Sequence, residues 1–378
     1  MNSTQILEYF RTRESDIVRS IREIVEIESP SHDFDRSKVV AEWVEAEVRE
    51  IGLDLDLEKI SAKGNGEHIM IRAFPSDEKV VMLLGHTDTV HPVGTKGQNP
   101  TRIDGDKFYG CGIFDMKANI VLMFEALRFF AETGERPARP ITILLSCDEE
   151  VGSHTGRPLI EREAANAEKC FVFEPSFNGK VKTGRKGTGM FTLRTHGIPA
   201  HAGLEPEKGA SAILEISRQI EKLTAFNKPD IGTTVNVCTI KGGTTTNVIP
   251  EHAEATIDVR FSSMAEAARI ESEIRGLTPF DKRVSLEILG GVNRPPMERT
   301  AEVVKLYERA RDIAASFDYE LGETQVGGAS DGNFVAALGV PVLDGLGIAG
   351  AGAHTLHEHI LVSDIAKRAA LVTLLLRS

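Results

Sequence analysis

Two short apolar runs, VVMLLG (80–85) and ITILLS (141–146), flank one long helix-like stretch, MKANIVLMFEALRFFAE (116–132). The runs are rich in β-branched and aliphatic residues and carry no polar alternation, as in strands covered on both faces. Two further runs, CFVFE (170–174) and VPVLDG (340–345), have the same character, and a helical stretch ending near Lys169 lies between the second and the third. Strand, helix and strand in alternation predict an α/β fold, a mostly parallel sheet sandwiched by helices. Apolar residues at helical spacing over 4–28 and 36–51, with Gly52 as a C-cap, add helices at the start of the chain.

The middle of the chain has a different period. GMFTLRTHG (189–197), TTVNVCTIKGG (233–243) and EHAEATIDVRF (251–261) alternate as half-buried strands, and helices fit at 208–224 and 264–276. This predicts an α+β domain inserted at 186–292 into an α/β domain formed by 1–185 and 293–378, with NRPP (293–296) as the hinge where the chain re-enters. A length of 378 residues suits two domains better than one core.

A net charge of -12 speaks against a nucleic-acid or anionic-membrane partner, both of which need a basic face. It leaves room for a small anionic substrate held by a few local arginines. The start, MNSTQILEYFRTRESD, contains acids and no long apolar stretch, so neither a signal peptide nor a membrane span is expected there. Cys111, Cys147, Cys170 and Cys238 are scattered without a CxxC pair. They are expected to be reduced, mostly buried thiols of a cytoplasmic protein, and not zinc ligands.

Ligands of open parallel sheets bind beyond the carboxyl ends of the strands, and the polar residues of this chain gather there. VVMLLG leads into His86, Thr87 and Asp88. ITILLS is followed by Asp148, Glu149 and Glu150. CFVF runs into Glu174, and VPVLDG leads through GLGIAGAG to His354. Asp115 precedes the long helix, where a carboxylate gains from the helix N-terminus. Singly, each has an ordinary explanation: a loop histidine, an N-cap, a solvated acidic turn. Together they put histidines and carboxylates on one sheet edge, a donor set suited to a pair of zinc ions or a similar divalent metal. Two Zn²⁺ carry four positive charges. Asp115, Glu150 and Glu174 supply three negative ones and a bridging hydroxide the fourth. One of Glu149 and Glu150 is then a ligand and the other a base, and spacing does not say which. A dinucleotide-binding protein is excluded, because no GxGxxG turn follows the first strand.

In these motifs the chain resembles the dinuclear zinc aminoacylase and carboxypeptidase family, which includes acetylornithine deacetylase, succinyl-diaminopimelate desuccinylase and glutamate carboxypeptidase. The resemblance runs in order through GHTDTV (85–90), GCGIFDMKANI (110–120), DEEVGS (148–153), FEPS (173–176), HAGLEPEKGASAI (201–213), TTTNVIPEHAEATIDVR (244–260), GGASDGNF (327–334) and GAGAHTLHEHI (350–360). The last stretches and NRPP look most like the glutamate carboxypeptidase branch.

The resemblance implies that His86, Asp115 and Glu174 hold one zinc. It implies that Asp115, Glu150 and His354 hold the other, with Asp115 bridging. Asp88 would fix the tautomer of His86, and Glu149 would be the general base and then the acid to the leaving amine. The inserted domain would be a lid and dimerisation unit, delivering His201 to the partner's site as an oxyanion donor. Asn247, Arg260 and Arg294 match substrate-holding positions. The implied activity is hydrolysis of an amide bond to a C-terminal or N-acylated amino acid, with an N-acyl amino acid deacylase as the rival within the class. An inactive binding protein is the rival outside it. Met116, His357 and His359 depart from the usual family pattern. His91, His154, His357 and His359 are expected to be loop or rim residues.

Overall fold

The computed structural model describes residues 1–378. By its internal contacts the chain divides into two compact units, Met1–Gly184 with Arg299–Gln325 and Ser330–Ser378, and Arg185–Glu298 with Val326–Ala329.

The first unit is built on a six-stranded sheet. In spatial order its strands are Asp56–Ala62, Gly66–Ala73, Ile141–Ser146, Val80–His86, Ala167–Val172 and Val342–Leu343. The last four run parallel, and Gly66–Ala73 pairs antiparallel with both of its neighbours. The four apolar runs thus form the parallel heart of the sheet. The antiparallel pair at its edge went unpredicted, because DLEKISA and GEHIMIRA carry charges that mask their alternation.

Both faces are covered. Val81, Leu83, Ile141, Ile143, Leu145 and Phe171 join the large core beneath the helices Ser3–Thr12, Glu14–Glu26, Ala118–Thr133 and Val362–Leu376. Met82, Leu84, Leu144, Cys170 and Val172 are buried on the opposite face. There the helices Arg157–Ala164 and Gly332–Ala337 contact the strand Ala167–Val172. Burial at about 25 cal/mol per Å² of apolar surface explains why these runs tolerate no charge until the strands end.

The second unit is an antiparallel four-stranded sheet ordered Thr234–Gly242, His252–Phe261, Gly187–His196, Ser285–Arg294. Phe191, Leu193, Ala255, Ile257, Val259 and Phe261 form its inner face with Ile216 and Leu223 of the helix Ala212–Thr224 and Ile270 and Ile274 of the helix Met264–Arg275. The period-two pattern in the sequence is this one-sided burial. The strand Ser285–Arg294 was not foreseen, since Gly290 and Gly291 interrupt its alternation.

No helix is long and apolar enough to cross a membrane. Cys111, Cys147 and Cys170 are buried, Cys238 is exposed, and all four are free thiols.

Candidate active site

His86 closes the strand Val80–His86 and is buried. Its Nδ1 lies 3.0 Å from the carbonyl oxygen of Asp88 and 3.4 Å from Asp88 Oδ1. A carbonyl only accepts, so Nδ1 carries the hydrogen and Nε2 faces forward. Nε2 lies 3.2 Å from Asp115 Oδ1 and 3.6 Å from Glu174 Oε1. On the other side of Asp115, His354 Nε2 stands 3.3 Å from Oδ2 and 3.4 Å from Glu150 Oε2. One aspartate therefore stands between two imidazoles, each with a further carboxylate beside it.

Local structure sets these positions. Asp115 lies in the π-type turn Ile113–Lys117 that opens the helix Ala118–Thr133, and its backbone (φ -120°, ψ 89°) is not helical. The peptide bond between Asp115 and Met116 is cis. Glu149 and Glu150 start a single 3-10 turn, Glu149–Val151, two residues after the strand Ile141–Ser146. Asp88 anchors that turn: Oδ1 accepts the N–H of Glu149 at 3.2 Å, and Oδ2 accepts that of Glu150 at 3.1 Å and the Ser31 hydroxyl at 2.7 Å. Asp88 thus orients His86 and both glutamates at once. The third acid of the run, Asp148, is fully buried. Its Oδ2 accepts from the Thr155 amide and hydroxyl, both at 2.7 Å, so it braces the loop from behind.

The field of the site favours positive charge. Burial alone would depress the pKa of His86, but hydrogen bonds to Asp115 and Asp88 and the charges of Asp88 and Glu149 raise it well above the usual value. The carboxylates of Asp115 and then Glu150 push His354 up to about 10. Burial would raise Asp115, yet His354 and His86 hold it below the ordinary carboxylate range, while burial raises Glu150.

The residues fit a metal. Ligand atoms of His86, Asp115 and Glu150 lie within 4.8 Å of one another, as do those of His86, Glu149 and Glu174. Glu150 Oε1 is buried without a hydrogen-bond partner. A buried anionic oxygen without a donor is costly, and a cation removes that cost. The donors are imidazole and carboxylate without thiolate, as expected for a divalent ion of the zinc type.

Residues 82–378 match the family model described as Peptidase family M20/M25/M40. The chain belongs to this family. It is 28% identical over 358 residues to carboxypeptidase G2 of Pseudomonas sp. (strain RS-16), covering 93% of this chain and 86% of that protein. It is 31% identical over 310 residues to the succinyl-diaminopimelate desuccinylase of Verminephrobacter eiseniae (strain EF01-2), covering 76% of this chain and 75% of that one. Its fold is that of aminopeptidase PepT from Bacillus cereus, with a TM-score of 0.79 at 23% identity over 96% of this chain and 98% of that chain. The M20 metallo-carboxypeptidase Sso-CP2 from Sulfolobus solfataricus gives 0.73 at 16% identity over 96% and 98%. As a member of this family, the chain is a metal-dependent hydrolase of amide bonds.

The four other residues singled out in the sequence lie in the second unit. His201 is exposed, and its Nδ1 accepts the N–H groups of Gly203 and Leu204, both at 3.2 Å. The hydrogen is therefore on Nε2, free to be donated. Val248 pairs with His201 across a short antiparallel bridge, and the carbonyl of the adjacent Asn247 accepts the N–H of Ala202 at 2.9 Å. Arg260 and Arg294 both stand opposite Thr188, on the strands either side of it. Directly opposed residues share a sheet face, so the two guanidinium groups belong to one row. Arg294 is buried, and Arg260 already pairs with Asp258, Nη2 to Oδ2 at 2.8 Å.

His154 and His357 are exposed, and His359 sits half-buried on a short edge strand. His91 is a loop residue, but a buried one, with Nε2 at 2.7 Å from Glu358 Oε2. Sequence reasoning missed Glu358, Asp148 and Ser31 as parts of the site's support. Only the run of three acids hinted at Asp148.

Proposed function

We propose that this M20 enzyme is carboxypeptidase-like. It hydrolyses the amide bond that joins an acyl or peptidyl group to the amino group of an amino acid with a free α-carboxylate. The observation that carries this is the meeting of His86, Asp115, Glu150, Glu174 and His354 around one aspartate, with Glu149 beside them. The long match to carboxypeptidase G2 favours it over the deacylase alternative. The match to a succinyl-diaminopimelate desuccinylase keeps N-acyl amino acid deacylation as the second reading.

On this reading His86, Asp115 and Glu174 hold one divalent ion and Asp115, Glu150 and His354 hold a second, zinc being the best fit to the donors. Bound ions supply Lewis acidity, polarising the scissile carbonyl and making water a better nucleophile at neutral pH. The protein does the rest. Asp88 keeps the hydrogen of His86 on Nδ1, so that Nε2 stays a donor of electrons. Glu149, held in its turn by Asp88, takes the proton from the attacking water and passes it to the leaving amine. His201, with its hydrogen on Nε2, donates to the oxygen that becomes negative. That donation is made to the site of a partner subunit, the second unit serving as lid and dimerisation domain. Asn247 orients the substrate, and Arg260 and Arg294 offer the charge that takes its carboxylate. Location in the cytoplasm agrees with four free thiols.

A panel of N-acyl amino acids and dipeptides on the zinc-loaded enzyme tests the substrate class. Release of glutamate or a similar amino acid from acyl or peptidyl conjugates supports it. Turnover only of substrates lacking a free α-carboxylate contradicts it.

A further inference from the structure

Glu358 follows His354 in the same loop, just before the strand His359–Leu361, and its side chain is fully buried. Oε2 accepts the N–H of Gly112 at 2.8 Å and faces His91 Nε2 at 2.7 Å. Oε1 accepts the N–H groups of Phe114 and Asp115, both at 2.9 Å. The chain around these amides cannot satisfy them by regular helical bonding. Gly112 has φ +69°, and Asp115 and Met116 depart from helical φ/ψ within their turn. The glutamate therefore stands in for the missing backbone acceptors, and four donors repay the burial of its charge.

The consequence lies at Asp115. Its amide is tied to Glu358, and its carboxylate faces His86 and His354. Glu358 itself is tethered close to His354 by the chain. A second link fixes the same two segments, since His359 pairs with Tyr109 and Ile360 with Phe108 ahead of the turn. We infer that Glu358 is a positioning residue of the metal centre. It locks the Asp115 turn to the His354 loop, so that the bridging aspartate is set before any ion arrives. This rests on the metal-centre reading above.

Glu358→Gln separates positioning from mere packing. The amide has the same shape but one accepting oxygen, so two of the four donors lose their partner. Cobalt(II) serves as the probe, added to chelator-treated wild type, Glu358→Gln and Glu358→Ala, with far-UV circular dichroism as the check on folding. Outer partners of a metal site typically contribute about 10- to 100-fold in affinity. Glu358→Gln is expected to be folded, to bind cobalt more weakly by that factor, and to show an altered visible spectrum. Glu358→Ala, if it folds, is expected to be worse. Wild-type affinity and spectrum in folded Glu358→Gln overturn the inference.

Hydrogen exchange gives a measurement that needs no metal. The amides of Gly112, Phe114 and Asp115 should exchange slowly in chelator-treated wild type, and Gly112 or the Phe114–Asp115 pair, whichever faces the new NH₂ group, should lose that protection selectively in Glu358→Gln. Equal exchange in the two proteins also overturns the inference. Failure of wild type to bind cobalt would sink the metal centre instead, and the exchange result would still judge the role of Glu358.

Discussion

Asp88 reaches Glu149 as well as His86: its Oδ1 lies 3.4 Å from His86 Nδ1 and accepts the Glu149 amide at 3.2 Å. One buried carboxylate thus sets the direction of an imidazole and the start of the acidic turn. That turn gives Glu149 and Glu150 different neighbours. Glu150 Oε2 meets His354 at 3.4 Å, while Glu149 falls in the group with His86 and Glu174.

If Glu149 is the base, Glu149→Ala keeps its metal and loses roughly 10²–10⁴-fold or more in kcat, the usual size of a general-base effect. Glu150→Ala loses metal. Elemental analysis beside steady-state kinetics checks both. Equal metal loss in the two variants would contradict the assignment.

Where the candidate residues gather was legible in the sequence, because three of them sit where an apolar run stops. His86 closes one strand and Glu150 and Glu174 come just after two others, and the fully buried stretches of these strands carry no charge ahead of them. The support behind the ligands was not legible. Glu358 reaches Gly112, Phe114 and Asp115 across more than half the chain, through backbone amides that leave no mark on residue identity. The edge strands Asp56–Ala62 and Ser285–Arg294 escaped for a different reason. Their exposed faces carry charge and glycine, which blur the period of two.

Substrate charge is tested through its carboxylate. Arg260 and Arg294 share one row of a sheet, and a guanidinium fork pairs well with a carboxylate. Blocking the α-carboxylate as an amide should cost about 2–5 kcal/mol in kcat/KM, because one partner of a buried charge pair is left alone. Equal rates on free and blocked substrates would count against the carboxypeptidase and aminoacylase readings alike.

The proposed role of His201 in a partner's site is tested by mixing Glu149→Ala with His201→Ala, each expected to be nearly inactive alone. Random pairing after co-refolding gives about half heterodimers, each with one whole site in a closed two-fold dimer. Activity should rise to about a quarter of wild type per chain. Verified heterodimers as inactive as their parents would show that His201 does not act across an interface.

Acid stability has a local contributor in the second unit. Glu266 is hydrogen-bonded by Arg269 Nη2 at 2.5 Å and by Thr233 Oγ1 at 2.7 Å. The Arg269 hydrogen bond holds its carboxyl down at about 2 against the smaller effect of burial, with Thr233 helping. The unfolded value is about 4.3. A depressed carboxylate stabilises the fold fully above the unfolded value, and that contribution drains away as pH falls from about 4.3 through about 2. Glu266→Gln should flatten this limb of a stability-versus-pH curve from denaturant melts. An unchanged slope between pH 5 and about 2 would remove Glu266 from the account.

The most direct test of the metal centre is a titration of chelator-treated enzyme with zinc, following bound metal and amide hydrolysis in the same samples. The proposed dinuclear centre, with Asp115 between His86 and His354 and Glu174 and Glu150 on its flanks, predicts two ions per chain. Full activity should be reached at two equivalents, and His354→Ala should retain about one and lose most activity. Full wild-type activity with at most one tightly bound ion per chain would contradict the dinuclear account.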